Sequence, residues 1–212
     1  TLADAKAKDK LTHSGLTGTQ NTVKTVEKFL DVDISYYARV NFESLVKVVD
    51  ALGGIDVYSD KNLEAWTGQP INEGCNHMIG QMALSFSRER HAYTSGDRHR
   101  AQNQQDVLQA IIKKMASPAI ITHYTDILNA IDGTFVTDMP MNEMARVAND
   151  QLNTGAEWSF QKSMVSGSGK MMRGGYYMPN TNLYYMIPDE NSVKQNKEYI
   201  KKMLKGESFT VQ

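Results

Sequence analysis

A single cysteine, Cys75, leaves no internal disulfide framework and gives no reading of redox compartment. No run of about 18 apolar residues occurs, so no transmembrane helix is legible in the 212 residues. Nor does the chain open on a basic stretch followed by an apolar one. It begins Thr1-Leu2-Ala3-Asp4-Ala5-Lys6, and the expectation is that any export signal or anchor precedes Thr1. The 23 basic and 24 acidic residues nearly cancel, so no global field draws in nucleic acid or an anionic membrane, and any anion site must be local. A basic helix or basic stripe interleaved with aromatics is missing too, which argues against a nucleic-acid partner. Walker and Gly-x-Ser-x-Gly motifs are absent, and no histidine has an evident acid partner, which sets aside P-loop and serine-hydrolase chemistry. His91 and His99 lack acidic or cysteine partners at ligand spacing and read as exposed loop histidines.

What is present suggests one α/β domain over residues 1–212, with no internal repeat or linker. Residues 4–13 read as a loop or frayed helix. Thr19 is placed as the N-cap of a helix with Val23, Val26, Phe29 and Leu30 inward. Ile34, Tyr36, Ala38 and Val40 alternate as a strand. A helix with Phe42, Leu45, Val46, Val49 and Leu52 on one face ends at Gly53-Gly54, and Ile55–Tyr58 follows as a strand. Residues 59–78 read as a loop with one hairpin. After a short element carrying Met82, Leu84 and Phe86, a helix presents Val107, Leu108, Ile111, Ile112 and Met115 as a stripe and stops at Ser117-Pro118. Helices are expected at 120–131 and 141–152, strands at 158–165, 176–178 and 183–187, and a last helix from Pro188-Asp189 to Gly206. Nine of the 12 methionines lie from Met139 onward and are assigned to core packing, with a lipid-lining role as the alternative. The C-terminal lysines, with Lys170, read as a solvated surface.

The chemistry concentrates in residues 87–100, where four arginines face two acids, a local balance of +2. Arg88 and Arg90 are one residue apart, a Gly96-Asp97 turn follows, and Arg98, Arg100 and Gln104 open a helix. No lysine occurs between residues 85 and 112. Guanidinium forks hold phosphate oxygens two at a time, and several forks at one point suit a diphosphate. The helix starting near Asp97 adds its free amides and positive dipole end. Arg100 and Gln104, four apart, share a face. Asp97 either caps the helix or clamps an arginine so that its fork points into the site.

These residues resemble the LytR–CpsA–Psr family of Gram-positive envelope proteins. The match rests on Ala83-Leu84-Ser85-Phe86-Ser87-Arg88-Glu89-Arg90, on Gly96-Asp97-Arg98-His99-Arg100 and on Gln104. Two further stretches agree: Tyr36–Phe42 with Val49–Val57, and Met186-Ile187-Pro188-Asp189 before a lysine-rich helix. The resemblance covers nearly the whole chain.

It implies an α/β fold, a mixed sheet flanked by helices with an apolar lipid tunnel, whose N-terminal strands are expected upstream of Thr1. It also implies a phosphotransferase that moves a glycopolymer, capsular polysaccharide or teichoic acid, from a polyprenyl pyrophosphate to a peptidoglycan hydroxyl at the outer face of the cell membrane. The alternative is a regulatory module that holds polyprenyl phosphate without turnover. Arg88, Arg90 and Arg100 would bind the pyrophosphate beside Gln104, Asp97 would orient an arginine, and Arg98 falls where the family pattern is loose. Mg2+ is the expected cofactor, its ligands mainly upstream of Thr1, so no residue here is assigned to metal and this segment alone is expected to be inactive. Many relatives carry an arginine where this chain has Asn103, which implies one cation fewer.

Overall fold

Asn41 accepts the Ser44 N–H at 2.8 Å and so starts helix α2, Phe42–Ala51, by satisfying a donor that the helix itself leaves open. In the computed structural model, which describes residues 1–121, 123, 125, 127, 129, 133 and 135–211, α2 belongs to the larger of two compact units, residues 38–160. Gly53 and Gly54 end it, both at positive φ. The chain then enters β2, Ile55–Ser59, which alternates Ile55, Val57 and Ser59 inward with Asp56 and Tyr58 outward. Strand β5, Gly74–Met78, pairs with it antiparallel in the register Ile55 to Met78 and Ser59 to Gly74. Between them β3, Leu63–Glu64, and β4, Pro70–Ile71, form the hairpin expected in residues 59–78.

Helix α3, Gly80–Arg88, has no side-chain cap of its own. Asp50, at the end of α2, accepts the Gly80 N–H at 2.8 Å instead. Glycine is required there, because a Cβ on residue 80 would press on the Val46 backbone. Helix α4, Asp97–Met115, packs against α3 and β2. Val49, Ile55, Met78, Phe86, Val107 and Ile111 belong to the core between these elements. Each such side chain, fully buried, contributes roughly 1.5–3 kcal/mol. A short turn of helix, α5, spans Pro118–Ile121, and α6 spans Met141–Thr154. Strand β1, Ala38–Val40, pairs antiparallel with β6, Phe135–Thr137.

The other unit joins the two chain ends, residues 1–37 and 161–212. It holds a 3-10 helix, Leu11–Thr17, then α1, Thr19–Leu30, a β7–β8 pair, Gly167–Met172 with Leu183–Pro188, and α7, Glu190–Leu204. Asp189 caps α7 through the Ser192 N–H. The α/β class is therefore as expected, with its strands arranged as four two-stranded antiparallel sheets among the described residues. Among those residues no helix is long and apolar enough to cross a membrane.

Several local expectations change. Helix α1 buries Asn21 and Thr25, because these accept backbone N–H groups of Asp4 and Ala3. Gly18, rather than Thr19, is its cap residue. The strand expected from Ile34 is confined to Ala38–Val40, and 158–165 and 176–178 contain no strand. The glycines at 167 and 169 are strand residues: a Cβ on either would strike Ile187 or Tyr184 across the ladder, so their absence of side chain permits pairing. None of the nine methionines from Met139 onward is buried, so they do not form core. Leu108, 57% exposed, leaves the α4 stripe, which runs instead through Asn103, Val107, Ala110 and Ile111. Much of the helix expected at 120–131, residues 122, 124, 126, 128 and 130–131, lies outside the described residues.

Candidate anion-binding site

The last residue of α3 is Arg88 and the first of α4 is Asp97, so the arginine cluster spans one helix end, a loop and a helix start. The loop is held by Glu89. Its carboxylate accepts the N–H groups of His91 at 2.6 Å and Ala92 at 3.0 Å. Burial pushes that carboxyl up, but the backbone N–H donors outweigh it and leave Glu89 below the usual range. It is thus held by the loop backbone and forms no ion pair with an arginine among the described residues.

Asp97 does not cap α4. It sits between two guanidinium groups, with Arg100 Nη2 at 3.3 Å and Arg90 Nη1 at 3.8 Å from the same Oδ1. Of its two expected roles, the arginine clamp is the one the geometry displays. Its pairs are exposed, and each contributes about 0–1 kcal/mol at most. The helix start beyond it has Gly96 at φ 41° and no side-chain cap, leaving positive amide ends beside the guanidiniums.

Arg88 is oriented differently. Its guanidinium lies 4.5 Å from the Phe42 ring centroid and 5.2 Å from that of Trp66. Both rings are largely exposed, Phe42 at 58% and Trp66 at 51%, so Phe42 leaves the α2 inner face on which its spacing placed it. Ser85 Oγ accepts the Trp66 N–H at 3.0 Å and fixes the backbone there. Arg98 and Gln104 are exposed, and their side chains make no ion pair or hydrogen bond among the described residues. Arg98 lies about 200° around the helix from Arg100, since each residue advances about 100°. Gln104 shares the Arg100 face. The structure therefore joins Arg90, Asp97 and Arg100 directly, sets Arg88 against aromatic rings, and leaves Arg98 apart.

Asn103 is a structural tie rather than a missing cation. It is 2% exposed, and its amide donates to the Phe86 carbonyl at 3.1 Å, locking α4 to the end of α3. His99 is not a loop residue. It lies on the first turn of α4, stacked on Tyr93 with centroids 3.3 Å apart, and its Nε2 is 3.6 Å from Asp60 Oδ1. His13 and His77 also face acids, Asp9 and Asp56, each at 2.8 Å. Histidine–acid pairs thus exist where spacing showed none. His91 is exposed and accepts from Arg90 Nε at 3.4 Å.

Sequence reading missed Phe42, Trp66, Asp60, Lys61 and Tyr93 around the cluster. Tyr93, the lone aromatic between Arg90 and Arg98, was the one local signal. Among the described residues no group of three His, Cys, Asp or Glu side chains could hold a metal ion. Asp97 is committed to arginines, so the donor set here does not fit a resident Mg2+. A cavity of about 260 Å³ lies at the other end of α4, lined by Lys113, Gln151 and Trp158 among others. It is about 20 Å from Arg100 along the helix and plays no part in the arginine site.

The model of the LytR_cpsA_psr family matches residues 1–202. A polyisoprenyl-teichoic acid–peptidoglycan teichoic acid transferase, TagU, of Bacillus mycoides (strain KBAB4) is 35% identical over 182 residues. That match covers 85% of this chain, which spans 57% of the relative's length. The crystal structure of B. subtilis TagU superposes with a TM-score of 0.69 at 30% identity, covering 96% of this chain and 79% of that one. That of B. subtilis TagV gives 0.78 at 24% identity over 97% and 79%, a likeness of fold.

Proposed function

The chain belongs to the LytR_cpsA_psr family, and on that premise we propose that it carries the pyrophosphate-binding part of a phosphotransferase that moves an anionic glycopolymer, with teichoic acid as the first candidate, from a polyprenyl pyrophosphate carrier to peptidoglycan at the outer face of the cell membrane. The observation that carries this reading is the meeting of Arg90 and Arg100 on Asp97 at the uncapped start of α4. A diphosphate offers more charge and more acceptor oxygens than one guanidinium can meet, and here two forks and a helix end converge.

In the proposed step, an acceptor hydroxyl oxygen attacks the phosphorus next to the glycopolymer. The bond from that phosphorus to the bridging oxygen breaks, and polyprenyl phosphate leaves with the bond's electrons. The hydroxyl proton passes to solvent or a base. Arg90 and Arg100 bind the phosphates and stabilise charge as it shifts to the leaving group, and Asp97 fixes the forks beforehand. Arg88 adds a third cation. The exposed Phe42 and Trp66 rings beside it offer apolar contact next to phosphate, which suits a lipid carrier better than free pyrophosphate. Gln104 can add an amide donor from the Arg100 face, and Arg98 contributes least.

The test is Arg90→Ala in the full-length protein, assayed for release of polyprenyl phosphate from a lipid-pyrophosphate glycopolymer with peptidoglycan as acceptor. Loss of transfer with folding intact is expected, and unchanged turnover would refute the reading. Tight lipid binding without any turnover by the wild type would favour a holding module instead.

A further inference from the structure

The arginine site raises a mechanical question. Two guanidiniums and a positive helix end repel one another, and the exposed Asp97 pairs, which aim the forks, add too little to hold the loop itself in place. Something on a rigid element must keep the loop in place before ligand arrives. We propose that Asp60, Tyr93 and His99 are positioning residues, a brace that pre-sets Arg90 and Arg100 for a pyrophosphate; the proposal rests on the pyrophosphate-site reading above.

Tyr93 is the one loop residue that is buried, 8% exposed, and it stands three positions after Arg90. Its hydroxyl donates to Asp60 Oδ1 at 2.8 Å. Its ring lies flat on His99, at 14°, and His99 is the neighbour of both Arg98 and Arg100. The same Asp60 oxygen faces His99 Nε2 at 3.6 Å. One carboxylate therefore addresses both the loop that carries Arg90 and the helix turn that carries Arg100. Lys61 closes the brace from above: its ammonium lies 4.5 Å over the Tyr93 ring and donates to the Ala92 carbonyl at 3.0 Å. Asp60 and Lys61 follow directly on β2, and buried Ser59 donates to the Lys61 carbonyl at 2.7 Å, which fixes that corner. The anchor is thus a core strand. Burial, with Asp60 adding to it, pushes the Tyr93 phenol well above its ordinary value, so it remains a donor across the working pH range.

Such a brace acts by cutting the ordering cost of binding, which improves ligand affinity and, where geometry controls the reaction, turnover. The test uses the full-length protein with Tyr93→Phe, which keeps the stack and loses the hydroxyl, and Asp60→Asn, an isosteric change at an exposed side chain. Three readouts are taken: the Kd for inorganic pyrophosphate, the split between KM and kcat for transfer, and the Nε–H NMR signal of Arg90 without ligand. Each variant is expected to weaken pyrophosphate binding by about threefold to tenfold, to lower kcat more than it raises KM, and to broaden the Arg90 signal, while remaining folded. Asp60→Asn keeps the test decisive should Tyr93→Phe fail to fold. Folded variants with wild-type Kd and an unchanged Arg90 signal would overturn the brace. If the wild type binds no pyrophosphate yet the Arg90 signal broadens in both variants, the brace stands and the pyrophosphate reading falls.

Discussion

Asn103 offers a quantitative check on how the two site-bearing helices are joined. Replacing it with alanine removes the amide that donates to the Phe86 carbonyl at 3.1 Å inside the core. That carbonyl is not orphaned by the change, since it also accepts the Glu89 N–H at 3.2 Å. The loss is therefore one buried hydrogen bond, about 1 kcal/mol, rather than a full desolvation penalty. The space left by the amide adds up to about 1 kcal/mol more. Asn103→Asp is a different perturbation. It sets a carboxylate against the same carbonyl at a position 2% exposed, and an unpaired buried charge costs about 3 kcal/mol or more. Urea denaturation of the two variants and the wild type, followed by circular dichroism, should rank them Asp well below Ala, and Ala about 1–2 kcal/mol below wild type. Equal stabilities for Ala and Asp, or a loss under about 0.5 kcal/mol for both, would refute the claim that this amide ties α4 to α3.

Other consequences are open to measurement. Trp66→Ala removes one of the rings against Arg88, an exposed cation–π contact of about 0.5–1 kcal/mol, so affinity for an isoprenyl diphosphate should fall about two- to fivefold by calorimetry. Gly80→Ala should destabilise by about 1–3 kcal/mol in thermal melts, because the added Cβ meets the Val46 backbone; a stabilised variant would contradict the close α2–α3 approach. Asp9 accepts N–H groups from Tyr177 and Lys10 and faces His13, and these donors outweigh the upward push of burial, holding its carboxyl below the ordinary 3.8. A carboxyl depressed in the folded state stabilises fully above its unfolded value and loses that contribution as pH falls through the folded one. Acid titration should therefore destabilise the unit formed by the chain ends below about pH 4, and Asp9→Asn should flatten that dependence.

The parts of the site that were legible in the sequence are those whose partners lie nearby. Arg88, Arg90, Asp97 and Arg100 fall within one turn-and-helix pattern, and α4 begins at Asp97 as its Gly-Asp turn implied. Asp60 and Tyr93 are 33 positions apart, and no spacing rule links them. Phe42 was assigned inward because periodicity records spacing and not what covers a face; here an arginine does. Asn103 looked like a lost cation because a motif shows residue type and not burial. Gly167 and Gly169 give no strand signal by residue type, yet glycine serves where two strands approach closely.

The most direct test of the central claim is calorimetric titration of a short-chain isoprenyl diphosphate into the full-length protein and into its Arg90→Ala, Arg100→Ala and Arg98→Ala variants. One site per chain is expected, with affinity lowered at least about tenfold in the first two, which lose charge-assisted bonds to phosphate, and nearly unchanged in the third. No binding by the wild type, or an equal loss in all three variants, would contradict a pyrophosphate site built on Arg90, Asp97 and Arg100.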